Sequence, residues 1–294
     1  MALRLRKTPE DQTSSPPLGV SGDALRDVRN DSVKPYHRRI VYSLLTTRRY
    51  HATRLRAVMD TWGRHVFMPF IATDAADTDY PNALVLGDEG KQDLGGKTLQ
   101  AFSKFCEYYD DGDFFVLADD DSFIVAHRVE RYLRAYRNPE EPLYAGYTLT
   151  HTKRPFVGGG GGIVISRMTL YKFCEATTRL TTFSANNSEL QRVQRLKFTT
   201  PCSWRVMRTL PGDIAVAECM KYLNIPATNI DGFQPFPLDK IVLRKPQENW
   251  CTITWWVPKH LKCFPPHPDP KTYHYVPVHE YGWYYILNYH LRKY

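Results

Sequence analysis

Apolar and polar positions along this chain follow two alternating periods. Ile40-Val41-Tyr42-Ser43-Leu44-Leu45 is a nearly unbroken apolar run of strand length, the pattern of a strand covered on both faces. After a turn at Thr46-Thr47-Arg48, Leu55, Val58, Met59 and Trp62 recur at i, i+3, i+4 and i+7, one face of a helix. Val66 to Ala72 predicts a second strand, ending at Thr73-Asp74. Leu94, Thr98, Phe102, Phe105 and Tyr109 predict an amphipathic helix over 94–109. Phe114 to Ala118 predicts a third strand, and Val129, Tyr132, Leu133 and Tyr136 mark the helix after it. Strands and helices alternating at this spacing predict an α/β fold with a doubly wound, mostly parallel sheet. The first half reads as a nucleotide-binding architecture.

The second half opens with a strand over Leu143 to Tyr147. Phe156-Val157 follows, then the five glycines Gly158 to Gly162 and Ile163-Val164-Ile165, which runs into Ser166, a helix N-cap. Leu210-Pro211-Gly212-Asp213 starts a further helix, with Asp213 in its first turn. The aromatic tail, His274-Tyr275-Val276 and Glu280 to Tyr294, ends in a short helix. Residues 1–36 are polar and rich in Pro, Ser, Asp and Arg, a composition that buries little surface. They are expected to be a flexible leader or stem. A single domain over 37–294 is expected to carry a nucleotide-binding half at about 37–125 and an acceptor-binding half at about 126–294.

The third strand delivers Asp119-Asp120-Asp121 to its carboxyl end. Open α/β sheets bind ligands at that edge, and crowded carboxylates there repel one another unless a cation joins them. Hard divalent ions take carboxylate and phosphate oxygens together, so a metal site for a phosphorylated donor is indicated, with a nucleotide sugar as the first candidate. An EF-hand loop would be polar where Ser122-Phe123-Ile124-Val125 stands. An aspartyl-phosphate phosphatase would carry Thr or Val where Phe123 stands. The glycine run fits neither phosphate motif, because Ile163 occupies the last glycine position of the dinucleotide pattern and no Gly-Lys-Ser/Thr follows. Two readings remain for it: backbone kept bare for a flat ligand, or a structural bend.

The 294 residues carry a net charge of +8. The basic residues are dispersed and no nucleic-acid motif accompanies them, so nucleic acid is not expected as a partner. Aromatics make up 13% of the chain and are dense from Trp250 onward, as suits a cleft that stacks rings on sugars. Six cysteines allow fifteen pairings, and none forms a CxxC pair. Cys202, Cys251 and Cys263 lie in irregular sequence where bridges would hold loops. Cys106, Cys174 and Cys219 lie on apolar helix faces and read as core thiols. Asn30-Asp31-Ser32 and Asn186-Asn187-Ser188 are glycosylation sequons. No stretch is apolar enough to span a bilayer, so either the protein is soluble or an upstream anchor belongs to it.

Thr46-Thr47-Arg48, His51, Arg54 and Asp60-Thr61-Trp62 resemble the Fringe-type opening TTR-x-x-H-x-x-R-x(5)-D-T-W. The acidic triplet with its following aromatic resembles that of Fringe and of the core 1 β1,3-galactosyltransferases. FVGGGGGIVISR, Phe156 to Arg167, is similar to their F-x-x-GGAG-x-x-x-S segment. His274-Tyr275-Val276 with Tyr289-His290-Leu291-Arg292 resembles the core 1 tail. From about residue 40 to 294 the chain thus resembles glycosyltransferase family 31. The resemblance implies a GT-A fold, with a Rossmann-like, mostly parallel central sheet flanked by helices. It also implies an inverting transfer from a UDP-sugar to a glycan or glycoprotein acceptor, dependent on Mn²⁺ or Mg²⁺, in the Golgi lumen. By position, Asp121 and His274 are the metal ligands, and Asp213 is the catalytic base. Asp119 and Asp120 lie on the donor, Asp120 by its ribose or sugar, and Thr47, Arg48, Asp74 and Lys97 lie around the uridine and phosphates. Two departures stand out: Gly212 replaces the acid that usually precedes the base, and Phe236 occupies Fringe's downstream histidine position, which favours His274. UDP-galactose in β1,3 linkage is the first donor expected, Fringe-like UDP-GlcNAc transfer the second, and an inactive glycan-binding relative the third.

Overall fold

Ile40–Leu45 (β1) is buried at every residue because it lies in the interior of a seven-stranded sheet covered on both sides. The computed structural model describes residues 39–86, 94–149, 155–178, 200–234 and 269–290. The leader 1–36, both sequons, Cys251, Cys263, Phe236, and most of 178–210 and 232–272 lie outside them. In chain order the other strands are β2 (Phe67–Thr73), β3 (Ala83–Val85), β4 (Phe114–Asp119), β5 (Phe123–Ile124), β6 (Tyr144–Gly146), β7 (Thr148–Leu149), β8 (Phe156–Val157), β9 (Ile163–Ser166), β10 (Ala227–Asn229) and β11 (Thr272–Tyr273). The large sheet runs β3-β2-β1-β4-β9-β6-β10, with β5–β11 and β7–β8 as two small ribbons. All pairs in the large sheet are parallel except those of β9, which is antiparallel to β4 and β6. This is the mostly parallel central sheet flanked by helices that was expected.

Period 2 divides the strands between two cores. Tyr42, Leu44, Phe114 and Val116 face one side, with Leu55, Val58, Trp62, Val129 and Tyr281. Val41, Leu45, Phe115 and Leu117 face the other, with Leu99, Phe102, Phe173 and Val216. Leu45 is level with Ala72 of β2 and Asp119 of β4, so three parallel strands end together. The β1–β2 register slips between the Val41–Phe67 and Ser43–Phe70 pairs, around Pro69, which has no N–H for the ladder.

Among the described residues the α-helices of five residues or more are α1 (Arg56–Asp60, within a helical run from Arg48 to His65), α2 (Leu94–Phe105), α3 (Ala126–Tyr136), α4 (Arg167–Thr178), α5 (Gly212–Tyr222) and α6 (Tyr281–Tyr285), with a single turn at Trp204–Met207. Ser166 caps α4, accepting the Thr169 N–H at 3.2 Å. Two sequence expectations need correction. The helix predicted over 94–109 is α-helical only to Phe105 and tightens to a 3₁₀ turn over Cys106–Asp111. The three cysteines read as core thiols are bridged instead, Cys106 to Cys174 and Cys219 to Cys202, which lies in irregular sequence where a bridge was expected. Periodicity put the three on apolar faces but could not show what those faces meet.

α2 lies so close to α5 and to the segment just before it that glycine is required on both sides. A Cβ on Gly95 would lie 2.2 Å from the Met207 carbonyl oxygen, and one on Gly212 would lie 2.3 Å from Thr98 Oγ1. The acid absent at position 212 therefore has no room here. Among the described residues no helix is long and apolar enough to cross a membrane.

Candidate active site

Asp119 closes β4 and the chain turns at once, the Ser122 N–H donating to the Asp119 carbonyl at 3.1 Å. Buried groups pin this turn. Trp62 Nε1 donates to the Ser122 carbonyl at 3.0 Å and the Tyr281 hydroxyl to the Asp120 carbonyl at 3.0 Å. The three carboxylates then part. Asp120 turns under the end of β1, accepting from Thr46 Oγ1 at 2.6 Å and Arg54 Nη1 at 3.1 Å. Asp121 lies 3.3 Å from Arg54 Nη1 and 3.3 Å from His274 Nε2. Asp119 accompanies Asp121 and His274, with one ligand atom from each of the three within 4.8 Å of the others.

Electrostatics separates the acids. Burial, and then the charge of Asp121, pushes Asp119 up to about 7. Burial also raises Asp120 against the opposing hydrogen bond from Thr46. Burial would raise Asp121 as well, but the hydrogen bond and charge of His274, with Arg54, hold it below the usual carboxylate range. A buried carboxyl that titrates near neutrality beside a second carboxylate and an imidazole is a donor set that fits a divalent cation.

His274 reaches this turn by strand pairing. β11 runs antiparallel to β5 with Tyr273 opposite Phe123, and the Val276 N–H donates to the Asp121 carbonyl at 3.0 Å. The imidazole fills the space over Gly160, where a Cβ would lie 1.9 Å from its Cε1. The flat group that needs this glycine bare is thus the protein's own histidine. Gly162, at φ 92°, turns the chain back into β9, and the Ser122 hydroxyl donates to the Gly160 carbonyl.

Asp213 faces the same loop. Its Cβ lies 3.5 Å from where a Gly159 Cβ would be, and its carboxylate accepts the Ile214 N–H at 2.9 Å. Burial raises its pKa, against hydrogen bonds from the Ile214, Gly159 and Asp213 N–H groups and the charge of His274. The Cys202–Cys219 bridge closes the segment that carries it.

The residues expected around the nucleotide gather at the level strand ends. The Arg48 N–H donates to Asp74 Oδ1 at 2.6 Å, and buried Lys97 donates to the Thr46 carbonyl at 3.3 Å. Thr47 Oγ1 is buried and has no hydrogen-bond partner among the described residues. Three side chains received no role from the sequence. Arg54, stacked 4.1 Å from the Tyr50 ring centre, neutralises two of the acids. His51 bridges Asp77 at 2.7 Å and Thr73 at 2.8 Å, and Arg48 pairs with the same Asp77. Arg54 and His51 stand in the opening motif, which was the available signal. Asp77 has none.

The model of the Fringe-like family matches residues 36–237. The chain is 26% identical to glycoprotein-N-acetylgalactosamine 3-beta-galactosyltransferase 1 of Xenopus laevis, over 69% of this chain and 52% of that protein. It is 24% identical to the beta-1,3-glucosyltransferase of Mus musculus, over 68% and 37%. It is 28% identical to the beta-1,3-N-acetylglucosaminyltransferase lunatic fringe of Mus musculus, over 52% and 47%. The chain spans about half the length or less of these curated relatives. A solved structure of galactosyltransferase LgtC with donor and acceptor sugar analogs overlays at a TM-score of 0.39 and 10% identity, over 81% of this chain and 87% of that one.

Two outcomes follow if Asp119, Asp121 and His274 hold a divalent cation. Gly160→Ala should displace the imidazole and weaken Mn²⁺ binding as far as His274→Ala does, with an unchanged circular-dichroism spectrum; Mn²⁺ affinity equal to wild type would detach the glycine from the site. Burial and the charge of Asp121 push Asp119 up to about 7, so a cation that takes Asp119 as a ligand would have to displace its proton, and Mn²⁺ affinity should fall by up to about tenfold per pH unit below 7 and level off above it. Calorimetric titrations between pH 5.5 and 8 measure this, and a flat profile would contradict it.

Proposed function

The chain belongs to the Fringe-like family, and on that premise we propose that it is an inverting, metal-dependent glycosyltransferase that moves galactose, in β1,3 linkage, from UDP-galactose to a glycan or glycoprotein acceptor. The observation that carries this reading is the meeting of Asp119, Asp121 and His274 across a glycine loop from Asp213. In this reading those three residues hold Mn²⁺, which one imidazole among carboxylates favours over Mg²⁺. When bound, the ion supplies the positive charge that stabilises a departing diphosphate.

The remaining roles belong to the chain's own groups. The unpartnered Thr47 hydroxyl and the Arg48 side chain bind the uridine–phosphate end of the donor. Asp74 fixes the Arg48 backbone, and Lys97 supports the Thr46 carbonyl from below. Asp120, bonded to Thr46 and Arg54, orients those two groups toward the donor. Asp213 takes the proton of the acceptor hydroxyl. Its raised pKa brings it nearer neutrality, where a general base is most effective, and the Ile214 and Gly159 N–H groups aim its carboxylate. Inversion needs a single displacement with the base opposite the leaving group, and a base on α5 is separate from the acids at the end of β4.

The relative named as a galactosyltransferase supports galactose as the sugar. The opening motif and the lunatic fringe match favour UDP-GlcNAc as the second reading. Two disulfides among the described residues suit an oxidising compartment, and we place the protein in the Golgi lumen.

Asp213→Asn should lower turnover by roughly 10²–10⁴-fold while calorimetry finds UDP affinity nearly unchanged, whereas Asp121→Asn should abolish Mn²⁺-dependent UDP binding; near-normal turnover in the first variant would move the base elsewhere. In a hydrolysis screen of UDP-galactose, UDP-GlcNAc and UDP-glucose, UDP-galactose should be consumed fastest, and a preference for UDP-GlcNAc would select the second reading.

A further inference from the structure

Tyr275 has backbone torsion φ 57°, a left-handed conformation that suits glycine or asparagine and strains a bulky residue. Such strain persists only where the surroundings over-determine it, and it clusters at functional positions. Two contacts hold it here. The next residue's N–H is committed to the Asp121 carbonyl. The Tyr275 ring also stacks on the His274 imidazole, with centroids 3.6 Å apart and planes 26° from parallel. The ring is nevertheless 45% exposed, so its second face is open. Its stacking partner His274 lies 3.3 Å from Asp121 and over Gly160, the residue after the glycine that Asp213 faces, so the ring stands at the edge of the cleft that holds the proposed metal-binding acids and the proposed base.

We propose that the Tyr275 ring is a platform for the transferred hexose, one face fixed on His274 and the other laid against the apolar face of the pyranose. This rests on the function proposed above. Sugars present flat C–H surfaces that pack on aromatic faces, and a ring already braced on one side loses little freedom when a ligand covers the other. The strained backbone is the cost of aiming the ring inward.

Binding measurements separate this from a purely structural role, because UDP and a UDP-hexose differ only by the sugar. Calorimetry with Mn²⁺ compares UDP with whichever of UDP-galactose and UDP-GlcNAc the wild type binds more tightly. Tyr275→Gly fits the left-handed torsion, so it should fold at least as well as wild type, keep UDP affinity, and lose roughly three- to tenfold in affinity for the UDP-hexose. Tyr275→Phe keeps the ring face and should match wild type on both ligands. An equal loss of UDP and UDP-hexose in the glycine variant would make the ring a mere prop for His274, and no loss of either would leave it without a ligand; each overturns the platform. So would a selective loss in Tyr275→Phe, which would transfer the effect to the hydroxyl. A wild type that does not bind UDP with Mn²⁺ would instead remove the proposed function itself.

Discussion

Three adjacent carboxylates at the end of a buried strand cannot all remain ionised without compensating charge, and the surroundings of β4 are arranged around that constraint. Thr46 and Arg54 compensate Asp120, and Arg54 and His274 compensate Asp121. For Asp119, burial and the repulsion of the neighbouring acids outweigh the charge of His274, and its raised pKa records the deficit. The chain satisfies two of its acids and leaves the third short of positive charge, beside an imidazole. A divalent cation at Asp119, Asp121 and His274 would meet that shortfall, which is why the metal reading rests on electrostatics as well as on proximity.

The turn can carry this load only because its backbone is fixed independently of its side chains. Trp62 and Tyr281 bond its carbonyls, and the Val276 N–H bonds the Asp121 carbonyl. Removing any of these would free the carboxylates to swing apart and solvate individually. The Asp-Thr-Trp portion of the opening motif thus has a physical purpose distinct from ligand contact, since its tryptophan clamps the acidic turn from the helical side of the sheet.

The doubly wound sheet was legible in the sequence because long apolar strands and 3.6-period helices are local signals. The acidic triplet, His274 and Asp213 could be found because motifs mark them. What stayed hidden depends on pairs distant in sequence. The reversal of β9 depends on a glycine turn, and β5 and β11 are only two residues each, too short for any period to show. The disulfides join faces that only tertiary packing brings together. Arg54 could be seen as a motif residue, but its hold on two of the acids appears only once β1 and β4 are set side by side. Asp77 had no motif at all, and it matters through a histidine 26 residues away.

Under the proposed function, the glycine loop explains how base and acids share one cleft without interfering. In the proposed function the donor lies at the ends of β1, β2 and β4, which the parallel sheet fixes, whereas a base for an inverting displacement must come from the far side of the sugar. In the proposed reading α5 supplies it, positioned by Gly95 of α2 and its own Gly212, which let the two segments meet closely, and by the Cys202–Cys219 bridge. Between them, residues 158–162 lack side chains, so His274 can lie on one glycine while Asp213 lies against the one before it. Any side chain at Gly160 would push the imidazole away from Asp121. The five glycines are therefore better understood as a thin partition that lets two separately anchored pieces of chemistry face a common ligand than as a phosphate-binding loop.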